Sequence, residues 1–343
     1  MKFGIFITPQ HPMSDSPVQR FREVLEQVRL AREAGFDTLA SGHHYLSAPY
    51  QSLQNIPLLA RLASESGDMR LCISILLLAL LNPVQVAEEV ATLDILSEGR
   101  VIFGVGLGYR QVEYQAFNVR VKDGPARLVE SLELIKRLWT EEQVTHEGSF
   151  FNLKEATCTV RPVQRPHPPI WMAADADAAV ARAGRLGYPW LANPHAALPT
   201  IARQMDLYKR ALAEAGHGLP EERPLMLEMY VAPTREEALQ IARPFLASKY
   251  RAYADWGQDR VLPGKESFRV PFEELARDRF LLGSPQDVVQ QVQQRIRALD
   301  CNHFIFRIGW PGMEHRHILQ AIDLVGEKVI PQFRKRADGS EEG

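Results

Sequence analysis

Two adjacent histidines, His43 and His44, follow the short apolar run Thr38–Ser41, and Tyr45 comes directly after them. A histidine at a strand's carboxyl end is suited to acid or base work, or to holding a ligand. Neighbouring residues on extended chain face opposite sides, so this pair cannot easily share one metal ion. His315 and His317 alternate, but they fall in a turn after Pro311-Gly312, and the first strand ends in Thr8, Pro9 and Gln10. On that ligand count no metal site is expected. No expected strand carries an interior lysine for Schiff-base chemistry, and no Walker A loop is present.

A second group is the run Gly104, Gly106 and Gly108 leading into Tyr109 and Arg110. Glycine at alternate positions lets backbone N–H groups approach a ligand, and such turns often hold phosphate. The third glycine comes one residue too early for a dinucleotide fingerprint. Leu76, Leu77 and Leu78, with Trp310 from the last strand end, are expected to wall a flat ring. The helix start near Ala176 offers further N–H groups for a phosphate, and Arg110 adds charge. The combination points to a ring-shaped cofactor with a phosphate tail.

Such residues need a scaffold that brings strand ends together. The chain alternates apolar strand runs with helices: strands Phe3–Thr8, Thr38–Ser41, Leu71–Leu77, Val101–Val105, Ile170–Ala173, Trp190–Ala192, Met226–Ala232 and Phe304–Ile308. After Pro83 the lines Val86, Val90, Leu93 and Ala87, Ala91, Ile95 give a core-facing helix that Gly99 stops, and Leu128, Leu132, Ile135 and Trp139 mark another. A β-hairpin excursion is expected around Val144–Leu153. The stretch Arg251–Leu282, with Tyr253, Trp256, Phe268 and Phe272, breaks the rhythm and is expected to form a lid before the last βα unit. Eight such units predict an α/β (β/α)₈ TIM barrel, one domain over residues 1–334 with a disordered tail at 335–343, and an active site at the strands' carboxyl ends.

The bulk numbers agree with a soluble cytoplasmic enzyme. Forty basic against 42 acidic residues leave a net charge of −2 without strong clustering, which argues against nucleic acid or a polybasic membrane contact. The run Leu71–Leu81 is too short to span a bilayer, and the apolar start halts at Pro9, so no signal peptide is expected. Cys72, Cys158 and Cys301 are far apart and form no CxxC, as expected of reduced thiols.

At several places the chain resembles the bacterial luciferase-like flavin monooxygenases. The matching pieces are His43-His44-Tyr45, Asn82–Glu89, Thr92–Arg100, Phe103–Tyr109, Arg161–Gln164, Pro169–Trp171 and Arg182–Gly187. The resemblance implies the same barrel and chemistry with O₂ and reduced FMN, delivered by a separate flavin reductase. It implies a small apolar organic substrate and a homodimer. Catalysis would fall on His43 or His44, and a non-proline cis peptide near Ser74-Ile75 would lie under the flavin ring. Cofactor contacts would come from Ser74, Ile75, Leu76, Gly104, Gly106, Gly108, Tyr109, Arg110, Ala174, Asp175 and Ala176. The substrate pocket would include Tyr45, Trp256, Arg307 and Trp310. On the same fold a deazaflavin could serve for hydride transfer, or a degenerate barrel could merely carry a flavin or lipid-like ligand. One segment departs from the family pattern. Ala173–Ala178 carries Asp175 and Asp177 but none of the hydroxyls that commonly bind the flavin phosphate, so Tyr109, Arg110 and backbone N–H groups must do so.

Overall fold

The computed structural model describes residues 1–264 and 266–334. Its strands are β1 (Lys2–Phe6), β2 (Gln10–Pro12), β3 (Thr38–Ser41), β4 (Tyr50–Ser52), β5 (Arg70–Leu77), β6 (Val101–Gly106), β7 (Val144–Glu147), β8 (Asn152–Ala156), β9 (Ile170–Ala173), β10 (Trp190–Leu191), β11 (Pro224–Val231), β12 (Leu281–Gly283) and β13 (His303–Arg307). Its helices are α1 (Pro17–Glu33), α2 (Asn55–Leu62), α3 (Pro83–Leu96), α4 (Gln111–Ala116), α5 (Gly124–Thr140), α6 (Asp177–Arg185), α7 (Leu198–Glu214), α8 (Arg235–Asp255), α9 (Phe272–Ala276), α10 (Pro285–Leu299) and α11 (His315–Leu324). The expected tail at 335–343 lies outside the described residues.

Nine strands form one parallel sheet in the order β10-β9-β6-β5-β3-β1-β13-β11-β12. All eight strands read from the sequence are in it. The sheet curls, because Ala192, just past β10, makes a parallel bridge to Leu225 of β11, and Met226 N–H donates to Ala192 O at 2.9 Å. Parallel strands covered by helices on one side and by each other on the inside are buried on both faces. That is why β6 and β11 are buried at every position, Glu228 included. Helix α3 buries Val86, Ala87, Val90, Ala91 and Leu93, whereas Ile95 stays 45% exposed. The line 87, 91, 95 drifts by about 80° round a helix, enough to leave the core-facing stripe.

The hairpin excursion is present as antiparallel β7 and β8. Glu130 of α5 anchors it, accepting hydrogen bonds from Phe150 N–H (3.1 Å) and Phe151 N–H (2.9 Å). Two features differ from the sequence reading. A small antiparallel pair, β2 with β4, sets Gln10 at the sheet's carboxyl rim. The segment Arg251–Leu282 is folded structure rather than a free lid. Helix α8 runs on to Asp255, because the apolar line Ala242, Leu246, Tyr250 and Tyr253 keeps its helical spacing through Arg251. β12 then pairs with β11, and Phe268 is only 4% exposed.

Candidate active site

A cavity of about 250 Å³ opens at the carboxyl ends of the parallel strands. Each of the eight strands read from the sequence, or the loop that follows it, contributes to the wall, from Phe6 at the end of β1 to Arg307 at the end of β13. Helix α8 and the turn after it add Tyr253, Gln258 and Val261.

The floor is built by β5 and β6. The Ser74–Ile75 peptide is cis, and both residues line the cavity with Leu77 and Gly108. Leu76 does not; it points into the core at 1% exposure. Gly104 and Gly106 do not line the cavity either. A Cβ on Gly104 would lie 2.1 Å from Ile73 O, and one on Gly106 would lie 2.1 Å from Ile75 Cδ1. These two glycines let β5 and Ile75 sit close, instead of approaching a ligand themselves. Gly104→Ala has only backbone to push against and should lower stability by about 1–3 kcal/mol or more in a denaturant titration. Gly106→Ala should be milder, since the Ile75 side chain can turn, and should show mainly as weaker ligand binding at the floor.

The two histidines both face the cavity, yet their ring nitrogens are spent differently. Gln54 Nε2 donates to the His44 carbonyl at 3.2 Å, which leaves Gln54 Oε1 to accept from His43 Nδ1 at 3.0 Å. Leu77 N–H then donates to His43 Nε2 at 3.4 Å. The His43 ring is therefore neutral and fully engaged, and burial, helped by neighbouring His44, pushes its pKa down to about 4. The unfolded chain, with an ordinary value near 6.5, binds more protons between these limits. The His43 contribution to stability should be fully present above about pH 6.5 and lost as pH falls through about 4, worth about 3 kcal/mol. Melting temperature against pH should show that acid-side loss, and His43→Gln should shorten it by one proton.

His44 is arranged as an acid or base. Its Nδ1 lies 3.1 Å from Glu113 Oε1, and Glu113 is fully buried on α4. Burial alone would raise the Glu113 carboxyl; the His44 hydrogen bond and charge, the Tyr45 N–H at 2.9 Å and Arg110 outweigh it and hold it below the usual range. A carboxylate fixed on Nδ1 leaves Nε2 as the working nitrogen. That nitrogen makes no hydrogen bond among the described residues. Tyr109, Tyr253 and Trp256 surround the ring edge-on at 5.8, 6.4 and 5.3 Å.

Several expected contacts are taken up elsewhere. Arg110 does not line the cavity; it donates to the carbonyls of Tyr45 (2.6 Å) and Leu46 (2.9 Å) and stacks 4.1 Å over Trp256. Tyr45 packs on His43 and Phe117 behind the wall. Trp256 braces Tyr253 and donates to Ala48 O. Trp310 turns away, because its Nε1 donates to buried Glu228 at 2.6 Å. Arg307 does line the cavity. Glu113 and His195 escaped the sequence reading, which placed Gln10 only at the end of the first strand and Tyr253 in a lid. His195 stands three residues past the end of the sixth expected strand, a position whose meaning could have been read from topology.

Ala174, Asp175 and Ala176 line the end of the cavity near Gly108. Asp177 points away and pairs with Arg203 at 2.9 Å. Asp175 faces in, with one oxygen taken by Asn193 Nδ2 and the other by Gln258 Nε2 at 2.8 Å. Two neutral amides do not supply a counter-charge, and burial raises this carboxyl to about 6.

Residues 1–300 match the family profile described as luciferase-like monooxygenase. The chain belongs to that family. The luciferase-like chain is 25% identical to the oxygenase component of a flavin-dependent trigonelline monooxygenase from Acinetobacter baylyi, over 97% of this chain and 96% of that protein. It is 27% identical to an F420-dependent glucose-6-phosphate dehydrogenase from Microbacterium testaceum, over 92% and 94% of the two chains. Among solved structures it resembles the monooxygenase RslO1 from Streptomyces bottropensis, with a TM-score of 0.85, 26% identity and coverage of 97% and 100%. It is an oxidoreductase of this family, whose relatives include flavin-dependent and F420-dependent enzymes.

The wall of the luciferase-like cavity fits a flavin ring better than a flavin phosphate. Ile75 and Leu77 offer an apolar floor, and the buried hydroxyls of Ser74 and Tyr109 have no partner among the described residues. Unpartnered buried hydroxyls are costly unless a ligand satisfies them. At the Ala174–Ala176 end, Asp175 opposes a phosphate, and only backbone N–H groups and the Tyr109 hydroxyl favour one.

Proposed function

We propose that this protein is the oxygenase of a two-component monooxygenase, using reduced FMN from a separate reductase to oxygenate a small organic molecule. The observation that carries the reading is the His44–Glu113 pair, which leaves one imidazole nitrogen free at the rim of a ring-sized cavity. Whole-length similarity to an oxygenase component supports it. We read the curled sheet as a (β/α)₈ barrel closed at Ala192–Leu225, with β12 outside the closure.

Ser74, Ile75, Leu77, Gly108 and Tyr109 would hold the ring, and the Ala174–Ala176 backbone the tail. When bound, reduced flavin would supply two electrons and activate dioxygen. Tyr253, stacked on Trp256 over His44, keeps bulk water from the reacting face. His44 Nε2 takes a proton from the substrate or returns one to the leaving oxygen, while Glu113 steadies the imidazolium that forms. His43 keeps its proton on Nδ1 and fixes the Leu77 backbone beside the floor.

Isotopically labelled dioxygen tests this directly. With a flavin reductase, FMN and a panel of candidate substrates, one labelled oxygen atom should enter the product. A second reading, hydride transfer with a deazaflavin, is favoured by the F420-dependent relative and by the hydroxyl-free Ala173–Ala178 segment. Turnover with reduced or oxidised F420 and no oxygen incorporation would select it.

A further inference from the structure

Opposite the proposed flavin floor, the cavity wall from β2, the loop after β10, β13 and α8 holds three polar side chains with hydrogen-bonding atoms left unused among the described residues. Arg307, 9% exposed, lies 4.0 Å over the Phe6 ring, and its Nε has no partner. Gln10, 3% exposed, accepts the Tyr253 hydroxyl on Oε1 at 3.0 Å, which turns its amide so that Nε2 is the free end; Nε2 has no partner. His195 has two buried, unpartnered ring nitrogens, and its ring lies 5.5 Å from that of Tyr253. Tyr253 thus joins all three in one corner, with Arg307 beside it.

The corner is a set of donors. Arg307 Nε and Gln10 Nε2 can only donate, and a neutral His195 donates from one nitrogen. Burial, with Lys249, Arg307 and Arg279 nearby, keeps His195 neutral. Glu228 is the carboxylate behind the wall, and it is shared between Lys249, which it bonds directly, and Arg307, whose Nη1 is 3.7 Å away. Burial and neighbouring Arg307 push the Lys249 ammonium down to about 7, so Arg307 rather than Lys249 presents the lasting positive charge to the cavity. Apolar Pro9, Leu191 and Met226 fill the space around it.

We infer that this corner binds the carboxylate of an organic-acid substrate, through Arg307 and Gln10, with His195 donating a third hydrogen bond. The donors of Arg307, Gln10 and His195 suit the two oxygens of a carboxylate, and inorganic phosphate is the competing anion that the test must separate. The inference rests on the oxygenase reading, in that the acid group would orient a substrate carbon chain or ring across the floor built by Ile75. It deepens that reading by replacing an apolar substrate with an amphiphilic one.

The test needs no flavin. Titrate the full chain calorimetrically with benzoate and hexanoate, and with their neutral amides, at neutral pH. The acids should bind at least about tenfold more tightly than the amides, and Arg307→Gln should weaken acid binding by about 10- to 100-fold while leaving the amides unchanged. Acid and amide binding equally well to the unaltered chain would overturn the inference, as would no saturable binding of any acid. Displacement of benzoate by inorganic phosphate at similar concentration would overturn it too, because the corner would then be a phosphate site. The acid-against-amide comparison in the unaltered chain stands even if Arg307→Gln fails to fold. If acids bind as expected but reduced FMN does not, the oxygenase reading fails and the acid site remains. If FMN binds and the acids do not, the reverse holds.

Discussion

Replacing His44 by alanine should lower turnover by about 10²–10⁴-fold, the range typical of a lost general acid or base, with reduced-flavin binding little changed. The contrast with its neighbour is what makes the experiment informative. His43 has both ring nitrogens committed to Gln54 and Leu77, so His43→Ala should cost stability and floor geometry before it costs proton transfer. His44 has a buried carboxylate on Nδ1 and nothing on Nε2, so its loss removes a proton carrier while the fold keeps its core. Glu113→Gln should share a smaller part of the His44 effect, because the ring would lose both its orientation and the charge that stabilises imidazolium. Single-turnover rates measured beside melting temperatures separate the two histidines. Equal rate losses with equal destabilisation would remove the distinction.

Asp175→Asn should tighten binding of reduced FMN by about tenfold or more. Asp175 faces the Ala174–Ala176 end of the cavity, and neither of its partners, Asn193 and Gln258, carries a positive charge. A carboxylate near a phosphate repels it by about 1 kcal/mol per charge pair at 4 Å even in water, and by more where solvent is excluded. Because burial lifts this carboxyl to about 6, the repulsion should fade as pH falls through that value. Affinity of the unaltered chain should therefore rise on acidification, and the Asp175→Asn variant should lose that part of the pH dependence. Riboflavin, which has no phosphate, serves as the control and should bind both forms alike. Weaker FMN binding by the variant would place the phosphate elsewhere.

The strand order was readable because buried parallel strands leave unmistakable runs. Leu71–Leu77, apolar but for Ser74, and Val101–Val105 each follow an arginine, and all eight strand runs entered one sheet. The site was readable only where chemistry sits on a strand end, as at His43, His44 and Arg307. Glu113 was hidden because it comes from the six-residue helix α4, whose sequence shows no apolar stripe long enough to announce it. Arg110 misled for a related reason: a cation after a glycine turn suggests an anion, but here backbone carbonyls of the loop after β3 take its donors. Trp310 misled because the acidic partner of its indole, Glu228, lies on another strand. Tyr253 was assigned to a lid, since no local signal tells a helix continuing over the cavity from a loop doing so. What the sequence could not show, in each case, was a partner more than 60 residues away or a helix too short to have a period.

On the proposed function, this cavity holds a reduced flavin for reaction with oxygen. The most direct measurement is an anaerobic titration of the full chain with reduced FMN, run in parallel with reduced F420, following tryptophan fluorescence and then adding oxygen. Saturable micromolar binding of reduced FMN is expected, with weaker binding of F420 and bound flavin that reoxidises with kinetics distinct from free flavin. Tight binding of F420 with none of FMN, or binding of neither, would contradict that function.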